Sequence, residues 1–262
     1  MHYEEFDPLP GASPWVANHW RFVVEARDPE EFEHVIVPDG TLSLSVACFP
    51  NGAVGPVTFA GPSTTAHRVK VHRGSTYIGV RLHPAASGRV LGLEGEALSG
   101  KIGLLSMAAP QAAAIVERAV QNHPGSAEDV MRALDGAVTT LVERAIAPDP
   151  LIVRAVDALL QSHGSVPVER LATEAGFSPR QFRRKFQKHV GLSPKAFARV
   201  RRMRHACILL LQAQDAALAG VSHDGGYADQ PHLTREFRGI FGSSPRLVET
   251  YLRQIEHGTV RD

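Results

Sequence analysis

Gly176-Phe177-Ser178-Pro179-Arg180-Gln181-Phe182-Arg183-Arg184-Lys185-Phe186 is the stretch from which the fold can be read. Glycine suits the left-handed corner that closes one helix and turns the chain into the next, so Gly176 marks a tight turn. Ser178 can act as an N-cap, and Pro179 takes the first helical position, where its missing N–H costs nothing. In the helix opened by this start, Phe182, Phe186 and Val190 share one face. At about 100° per residue, Arg180, Arg184 and Gln187 project to the opposite side, with Arg183 on the flank. A short helix anchored by two phenylalanines and presenting arginines outward suits a major groove, where arginine bonds bidentately to guanine and to phosphate.

The same design returns 51 residues later. Phe182, Arg184, Phe186, Gly191, Ser193 and Pro194 correspond to Leu233, Arg235, Phe237, Gly242, Ser244 and Pro245. Gly226-Tyr227 stands for Gly176-Phe177, with one extra residue in the turn. Arg235 and Arg238 again fall opposite the apolar pair. Agreement that extends through the Gly-x-Ser-Pro exit marks a duplicated unit. Between the units, Pro194 to about Ala213 reads as one helix of roughly 20 residues, about 30 Å long. Successive major grooves on one face of B-DNA lie about 34 Å apart, so this connector can set two reading helices one turn apart. Its Lys195, Arg199, Arg201, Arg202 and Arg204 are candidate phosphate contacts, with pairing to acids as the alternative; Arg201 is assigned to DNA.

Upstream, Leu151, Ile152, Ala155, Val156, Leu159 and Leu160 form one apolar helical stripe ended by Gly164. Val168, Leu171, Ala172 and Ala175 form a shorter one stopped at Gly176. Charge divides sharply along the chain. Residues 1–147 carry 11 Lys/Arg against 16 Asp/Glu, a balance of −5, and residues 148–262 carry 17 against 11, a balance of +6. From Ser178 to Arg204 there are ten basic residues and no acidic one, a one-sign run that suits a polyanion. Ala147-Pro148-Asp149-Pro150 coincides with the change of sign, so the 262 residues divide into domains 1–147 and 148–262.

The first domain opens with β-type signals. Thr41 to Cys48 alternates Leu42, Leu44, Val46 and Cys48 with small or polar residues, after a Pro38-Asp39-Gly40 turn. Val57 to Ala60, Ala66 to His72 and Thr76 to His83 are further short strands, which predicts a small sandwich or barrel. From Pro84 the pattern turns helical, with Gln111 to Val120 and Ala127 to Ala145 separated by a loop at Asn122 to Ser126. Ser126 is an N-cap with Asp129 three residues on. The apolar stripes of these two helices exceed what a small barrel would cover, so a homodimer interface is expected there.

From about Asp149 to Tyr251 the sequence resembles the AraC/XylS family of bacterial regulators. The resemblance is carried by Leu171-Ala172-x-x-Ala175-Gly176-Phe177-Ser178, by Gly226-Tyr227-Ala228-Asp229-Gln230-Pro231-His232-Leu233-Thr234-Arg235-Glu236-Phe237-Arg238, and by Gly242-x-x-Pro245. It implies a cytoplasmic transcription regulator that binds double-stranded promoter or operator DNA, with RNA polymerase as a further partner. By this resemblance Arg180, Arg183 and Arg184 occupy base-reading positions of the first unit, with Gln181, Gln187 and Lys188 beside them on the same helix. Gln230, His232, Thr234 and Arg235 occupy those of the second, with Arg238 alongside. Pro231 and the polar run Ser222-His223-Asp224-Gly225 depart from the pattern and predict a less firmly supported second unit. The first domain resembles the sensor or dimerisation domains attached to such regulators, through Pro38-Asp39-Gly40 before a strand and Gly79-Val80-Arg81-Leu82-His83-Pro84 before an Ala-rich helix. That implies an α+β chain: a cupin-like barrel with a helical appendage, then an all-α domain of two helix-turn-helix units. It further implies homodimerisation and response to a small-molecule effector.

Other chemistry finds little support. His67 and His72 are five residues apart in a strand, so they point to opposite faces, and neither they nor His83 has a Glu completing a metal set. Trp15, Trp20, Phe22 and Tyr77 suit either an effector pocket or a core. Phosphate loops, nucleophile elbows and HExxH motifs are absent, so neither enzyme nor cofactor is expected. Cys48 and Cys207 lack metal spacing and read as reduced cytosolic thiols. MHYEEFDPLP has no apolar segment typical of a signal, and no run reaches a membrane span. The alternatives are a cupin-type enzyme fused to a DNA-binding tail, and a DNA-bending architectural protein.

Overall fold

Leu42, Leu44 and Val46 alternate with Ser43, Ser45 and Ala47, and a strand so built has an apolar face and a small polar one. In chain order the strands are β1 (His2–Phe6), β2 (Val16–Val23), β3 (Glu31–Ile36), β4 (Leu42–Cys48), β5 (Thr58–Ala60), β6 (His67–His72), β7 (Thr76–Leu82), β8 (Ile102–Leu104) and β9 (Glu256–His257). The computed structural model describes residues 1–121, 126–212, 218–258 and 260. The loop expected from Asn122 and the helix end expected at Ala213 fall outside these residues. One sheet runs β8-β5-β4-β7-β2-β1-β9, while β3 pairs antiparallel with β6 as a separate ribbon.

The expected cupin-like barrel is therefore corrected: among the described residues no closed barrel forms. The sheet stays open because β3 and β6 pair with each other, and because β1 is flanked by β9. That last strand comes from the chain's end and runs parallel to β1, His2 opposite Glu256 and Tyr3 opposite His257. The end of the second domain thus completes the sheet of the first.

The two faces of the sheet do different work. Leu42, Leu44, Val46, Ile78, Val80 and Leu82 are buried on one face. They pack with the helices that follow a 3-10 turn at Pro84–Ala86. These are α1 (Ser87–Val90), α2 (Gly95–Leu98), α3 (Leu105–Ala108), α4 (Pro110–Gln121) and α5 (Ala127–Arg144). Ser126 caps α5 through a capping box with Asp129. Val116 and Val120 of α4, and Val130, Leu134, Val138 and Leu141 of α5, are all buried in this core. The stripes expected to be left for a homodimer are thus covered within the chain. The other face carries Tyr3, Glu5, Trp20, Phe22, Ser43, Tyr77 and Arg81, since residues paired across antiparallel strands point the same way.

The rest is helical: α6 (Pro150–Gln161), α7 (Val168–Glu174), α8 (Pro179–Val190), α9 (Pro194–Gln212), α10 (Leu218–Asp224), α11 (Gln230–Phe241) and α12 (Pro245–Arg253). Two cores share α9. Ile152, Val156, Leu159, Leu171, Phe182 and Phe186 pack on its first half around Phe197. Val221, Tyr227, Leu233, Phe237, Val248 and Leu252 pack on its second half around Met203 and Leu210. Ala85 joins the first of these cores, so apolar packing continues across the domain boundary.

Contact between the domains is close at backbone level. A Cβ on Gly95 would lie 2.5 Å from the carbonyl oxygen of His189 and 2.6 Å from the nitrogen of Gly191. Nothing flexible stands there to yield, so Gly95→Ala is expected to destabilise the protein by about 1–3 kcal/mol through overpacking. Gly136→Ala, on the open side of α5 with nothing within 4 Å, should instead stabilise by roughly 0.5–1 kcal/mol through helix propensity. Urea unfolding of both variants checks the contrast, and equal effects would contradict the packing described.

A second seam carries a titratable group. His34 of β3 stacks on Phe22 at 4.2 Å, and Tyr251 of α12 sits 2.8 Å from its Nδ1. Burial, and to a lesser degree His257, lowers His34 from 6.5 to about 4. Because the folded value is depressed, the folded state binds the proton less readily than the unfolded chain. Its contribution is therefore complete above about pH 6.5 and lost as pH falls towards 4. The loss should reach about 3 kcal/mol, and His34→Gln should flatten that part of the stability–pH curve.

Candidate nucleic-acid interface

The first candidate reading helix is assembled as its residues dictate. Gly176 turns at φ +69°, where a side chain would be strained, and nothing would meet a Cβ there, so conformation alone selects glycine. Ser178 caps α8, its hydroxyl accepting from the Gln181 N–H, while Gln181 Oε1 accepts from the Ser178 N–H at 3.1 Å. Gln181, expected to face DNA, is thus also the second half of a capping box. Phe182, Phe186 and Val190 are wholly buried. Arg180, Arg183 and Arg184 stand exposed on the other side, and Gln187 is half-buried. Gly191 ends the helix in the left-handed conformation.

The second unit repeats this with different parts. Asp229 caps α11, accepting from the His232 N–H at 2.6 Å. Pro231 lies in the first turn, where a missing N–H costs nothing. Leu233 and Phe237 are buried, and Gln230, Arg235 and Arg238 are exposed. His232 and Thr234 are half-buried, the His232 ring meeting Tyr227 edge-on at 5.4 Å. The polar run before it nonetheless forms the support helix: α10 buries Val221 and Ser222. Its seven residues match the seven of α7, the support helix of the first unit.

The connecting helix departs from expectation. Arg201 is only 3% exposed, and its guanidinium donates to the Asp39 carbonyl oxygen at 3.2 Å. The candidate phosphate contact faces the first domain, because the face of α9 that carries it is the one docked on the sheet. Arg204 lies on that face too, bonded to Glu5 at 2.9 Å. Arg199 pairs with Glu236 of α11, and Lys195 is exposed. Lys188, at the far end of α8, reaches Glu94 beside α2 at 2.7 Å. This cation, expected at DNA, therefore pairs with a residue of the first domain.

Around Glu5 a buried network joins both domains. Arg81 bonds Glu5 and also Asp39, the latter at 2.6 Å, while Tyr3 bonds Glu5 at 2.6 Å and Arg81 bonds Tyr3 at 2.7 Å. Burial alone would raise the Asp39 carboxyl, but Arg81 and Arg204 outweigh it and hold it below its ordinary value. Sequence reasoning missed this network: an isolated Glu5 in a charged first strand reads as surface, and only its register opposite Trp20 places it inside. The candidate metal histidines separate. His67 turns inward and His72 outward from β6, while His83 pairs with Asp157 of α6 at 2.9 Å. Among the described residues, no group of three or more His, Cys, Asp or Glu is placed to hold a metal ion.

Parts of the chain are similar to known proteins. Residues 171–250 match a helix-turn-helix domain family, and residues 4–102 match a domain of unknown function (DUF6597). An uncharacterized HTH-type transcriptional regulator of Haemophilus influenzae is 34% identical over 87 residues, 33% of this chain and 29% of that protein. The chain thus spans less than a third of the length of that curated relative. A solved AraC-type transcriptional regulator from Chromobacterium violaceum is 24% identical, covering 38% of this chain and 90% of its own, with a TM-score of 0.35. The C-terminal domain of AraT, a response regulator from Geobacillus stearothermophilus, is 22% identical over 44% of this chain and 93% of its own, with a TM-score of 0.37. ToxT from Vibrio cholerae, solved with an unsaturated fatty acid bound, is 10% identical over 94% and 99%, with a TM-score of 0.46.

Removing Glu5 should be costly. Glu5→Ala leaves Arg81 and Arg204 short of a buried partner, so a loss of about 3–5 kcal/mol is expected. Lys188→Ala, which breaks only an exposed pair, should change stability by under about 1 kcal/mol. Thermal unfolding of the two variants side by side checks this, and a Glu5→Ala protein as stable as Lys188→Ala would refute the buried network.

Proposed function

We infer, from the AraC-type helix-turn-helix domain formed by residues 171–250, that the whole chain is a sequence-specific transcription regulator. The observation that carries this reading is the pairing of α8 and α11. Each is anchored by buried apolar residues, exposes arginines on the far side, and packs against the same connecting helix. With 19 residues, α9 is about 28 Å long, close to the spacing of successive major grooves. Promoter or operator DNA is the partner, read by Arg180, Arg183 and Arg184 in one groove and by Gln230, Thr234, Arg235 and Arg238 in the next. The first domain responds to a small-molecule effector, and RNA polymerase is the further partner at a promoter. The chain acts as a binding protein rather than an enzyme, in the cytoplasm of a bacterium; among the described residues no helix is long and apolar enough to cross a membrane. A homodimer would have to use a surface other than the covered stripes of α4 and α5. One chain already carries both reading helices.

Binding sites selected from random DNA, followed by single-base variants of the selected site, test this. Arg184→Ala should cost about 1–3 kcal/mol and relax specificity in one base cluster. Arg235→Ala should act on a second cluster about 10 base pairs away. Lys195→Ala should lower affinity evenly and reduce the salt dependence. Arg201→Ala, changing a buried contact, should lower the unfolding temperature and leave the salt slope unaltered. Loss of discrimination at the same bases in both arginine variants would overturn the tandem-reading scheme.

A further inference from the structure

A cavity of about 340 Å³ lies between the polar face of the sheet, the β3–β6 ribbon and α9. That is within the range of roughly 300–1,000 Å³ usual for small-molecule sites. Three of the aromatic residues singled out in the sequence, Trp20, Phe22 and Tyr77, line it from the sheet. Val69 and Val71 close it from the ribbon, and Cys207, Ile208 and Leu211 from α9. Trp15 lies elsewhere, packed near His83.

The charges at its wall are already matched. Arg81 and Arg204 reach the cavity, but Glu5 and Asp39 hold them within hydrogen-bond distance. Lys70 pairs with Glu31 at 2.7 Å. Burial lowers the three lining histidines, His34 to about 4 and His67 and His257 in the same direction, which favours their uncharged forms. His67 Nε2 and His257 Nδ1 are buried with no hydrogen-bond partner, which leaves two polar atoms of the wall to be satisfied. The cavity shares Phe59, His67, Ile102 and Gly103 with a groove that opens to the surface. Ile102, Leu104 and Met107, in that groove, are 39%, 41% and 83% exposed, although large and apolar. An apolar molecule crossing from solvent to cavity would meet these side chains first.

We propose that this cavity binds an uncharged, predominantly apolar small molecule whose few hydrogen-bonding groups meet His67 and His257. The proposal rests on the reading of the first domain as an effector sensor and supplies the chemical class of its ligand. An anionic ligand is disfavoured because entering would strip its water while both guanidinium groups are already occupied. Such a molecule touches α9, the helix on which both reading units are built. Its binding therefore favours the arrangement in which α9 is docked on the sheet.

A matched pair of dyes tests the class. N-phenyl-1-naphthylamine is neutral, 8-anilino-1-naphthalenesulfonate has the same skeleton with one negative charge, and both brighten in apolar surroundings. Trp15→Phe leaves Trp20 as the single tryptophan, so energy transfer from Trp20 to the dye in the full-length chain reports on the cavity. The neutral dye should saturate at one molecule per chain and bind at least about tenfold more tightly than the sulfonate. Val69→Phe, which fills the cavity from the ribbon, should weaken the neutral dye by about tenfold while the unfolding temperature shows the fold retained. Glu5→Gln should narrow the gap between the dyes by freeing a guanidinium. Equal or tighter binding of the sulfonate to the Trp15→Phe protein, or no saturable transfer from Trp20 with either dye, would overturn the proposal. The dyes are titrated without DNA, so failure here is separate from failure of specific DNA binding, which would overturn the regulator reading instead.

Discussion

The buried meeting of Glu5, Asp39, Arg81 and Arg204 governs how the molecule is put together. Two guanidinium groups cannot be taken out of water unless carboxylates meet them at hydrogen-bond distance, and here the four groups come from four separate places. Glu5 is on β1, Asp39 precedes β4, Arg81 is on β7, and Arg204 belongs to α9. Satisfying all four at once requires α9 to lie against the polar face of the sheet in one rotation about its own axis. Arg201 bonded to the Asp39 carbonyl and Phe197 in the space above Gly40 hold the same rotation. Gly40 turns at φ +80°, and a Cβ there would lie 2.6 Å from the Phe197 ring, so both its conformation and its smallness are used.

That rotation sets what is left for DNA. With the Arg201 and Arg204 side of α9 turned to the sheet, its other faces hold the cores of the two helix-turn-helix units. Phe186 meets Phe197 near its start, and Phe237 packs near Met203 and Leu210 further along. The connecting helix therefore serves as a shared spine, docked on the sheet along one side. The positive charge available to a polyanion is concentrated on α8 and α11. Coupling between the two domains follows from this sharing: the ribbon, the sheet and α9 enclose one cavity, and the Lys188–Glu94 pair ties a reading helix to the first domain. The cavity and the two helix-turn-helix cores thus share one element, α9.

Legibility from sequence varied with the range of the interactions involved. The first unit was readable because every device in it is local: a left-handed glycine, a cap, a first-turn proline and a four-residue apolar repeat. The capping boxes at Ser126 and Ser178 form as their spacing predicts. Strands β4, β5, β6 and β7 were readable for the same reason. By contrast β1, β2 and β3 were missed, since their sequences carry Glu4, Glu5, His19, Arg21 and Glu33 where alternation should be apolar. Those charges are paired across the sheet or with distant helices, and pairing is invisible in a one-dimensional pattern. The covering of the apolar stripes of α4 and α5 was hidden for a related reason: counting apolar residues could not reveal that the open sheet offers a face wide enough to cover them.

By itself, the sequence determined the duplicated helix-turn-helix unit, the helical start of its connector at Pro194, the side on which each arginine of α8 and α11 stands, and the change of charge sign along the chain. These depend on helix period, capping and covalent spacing, which act within a few residues. Only the tertiary structure decided which cations of α9 are spent inside the protein, that the sheet stays open with β9 at its edge, and that a cavity with matched charges lies against the spine. Those outcomes depend on which distant carboxylate meets which guanidinium once water is excluded, and that pairing exists only when the chain has folded.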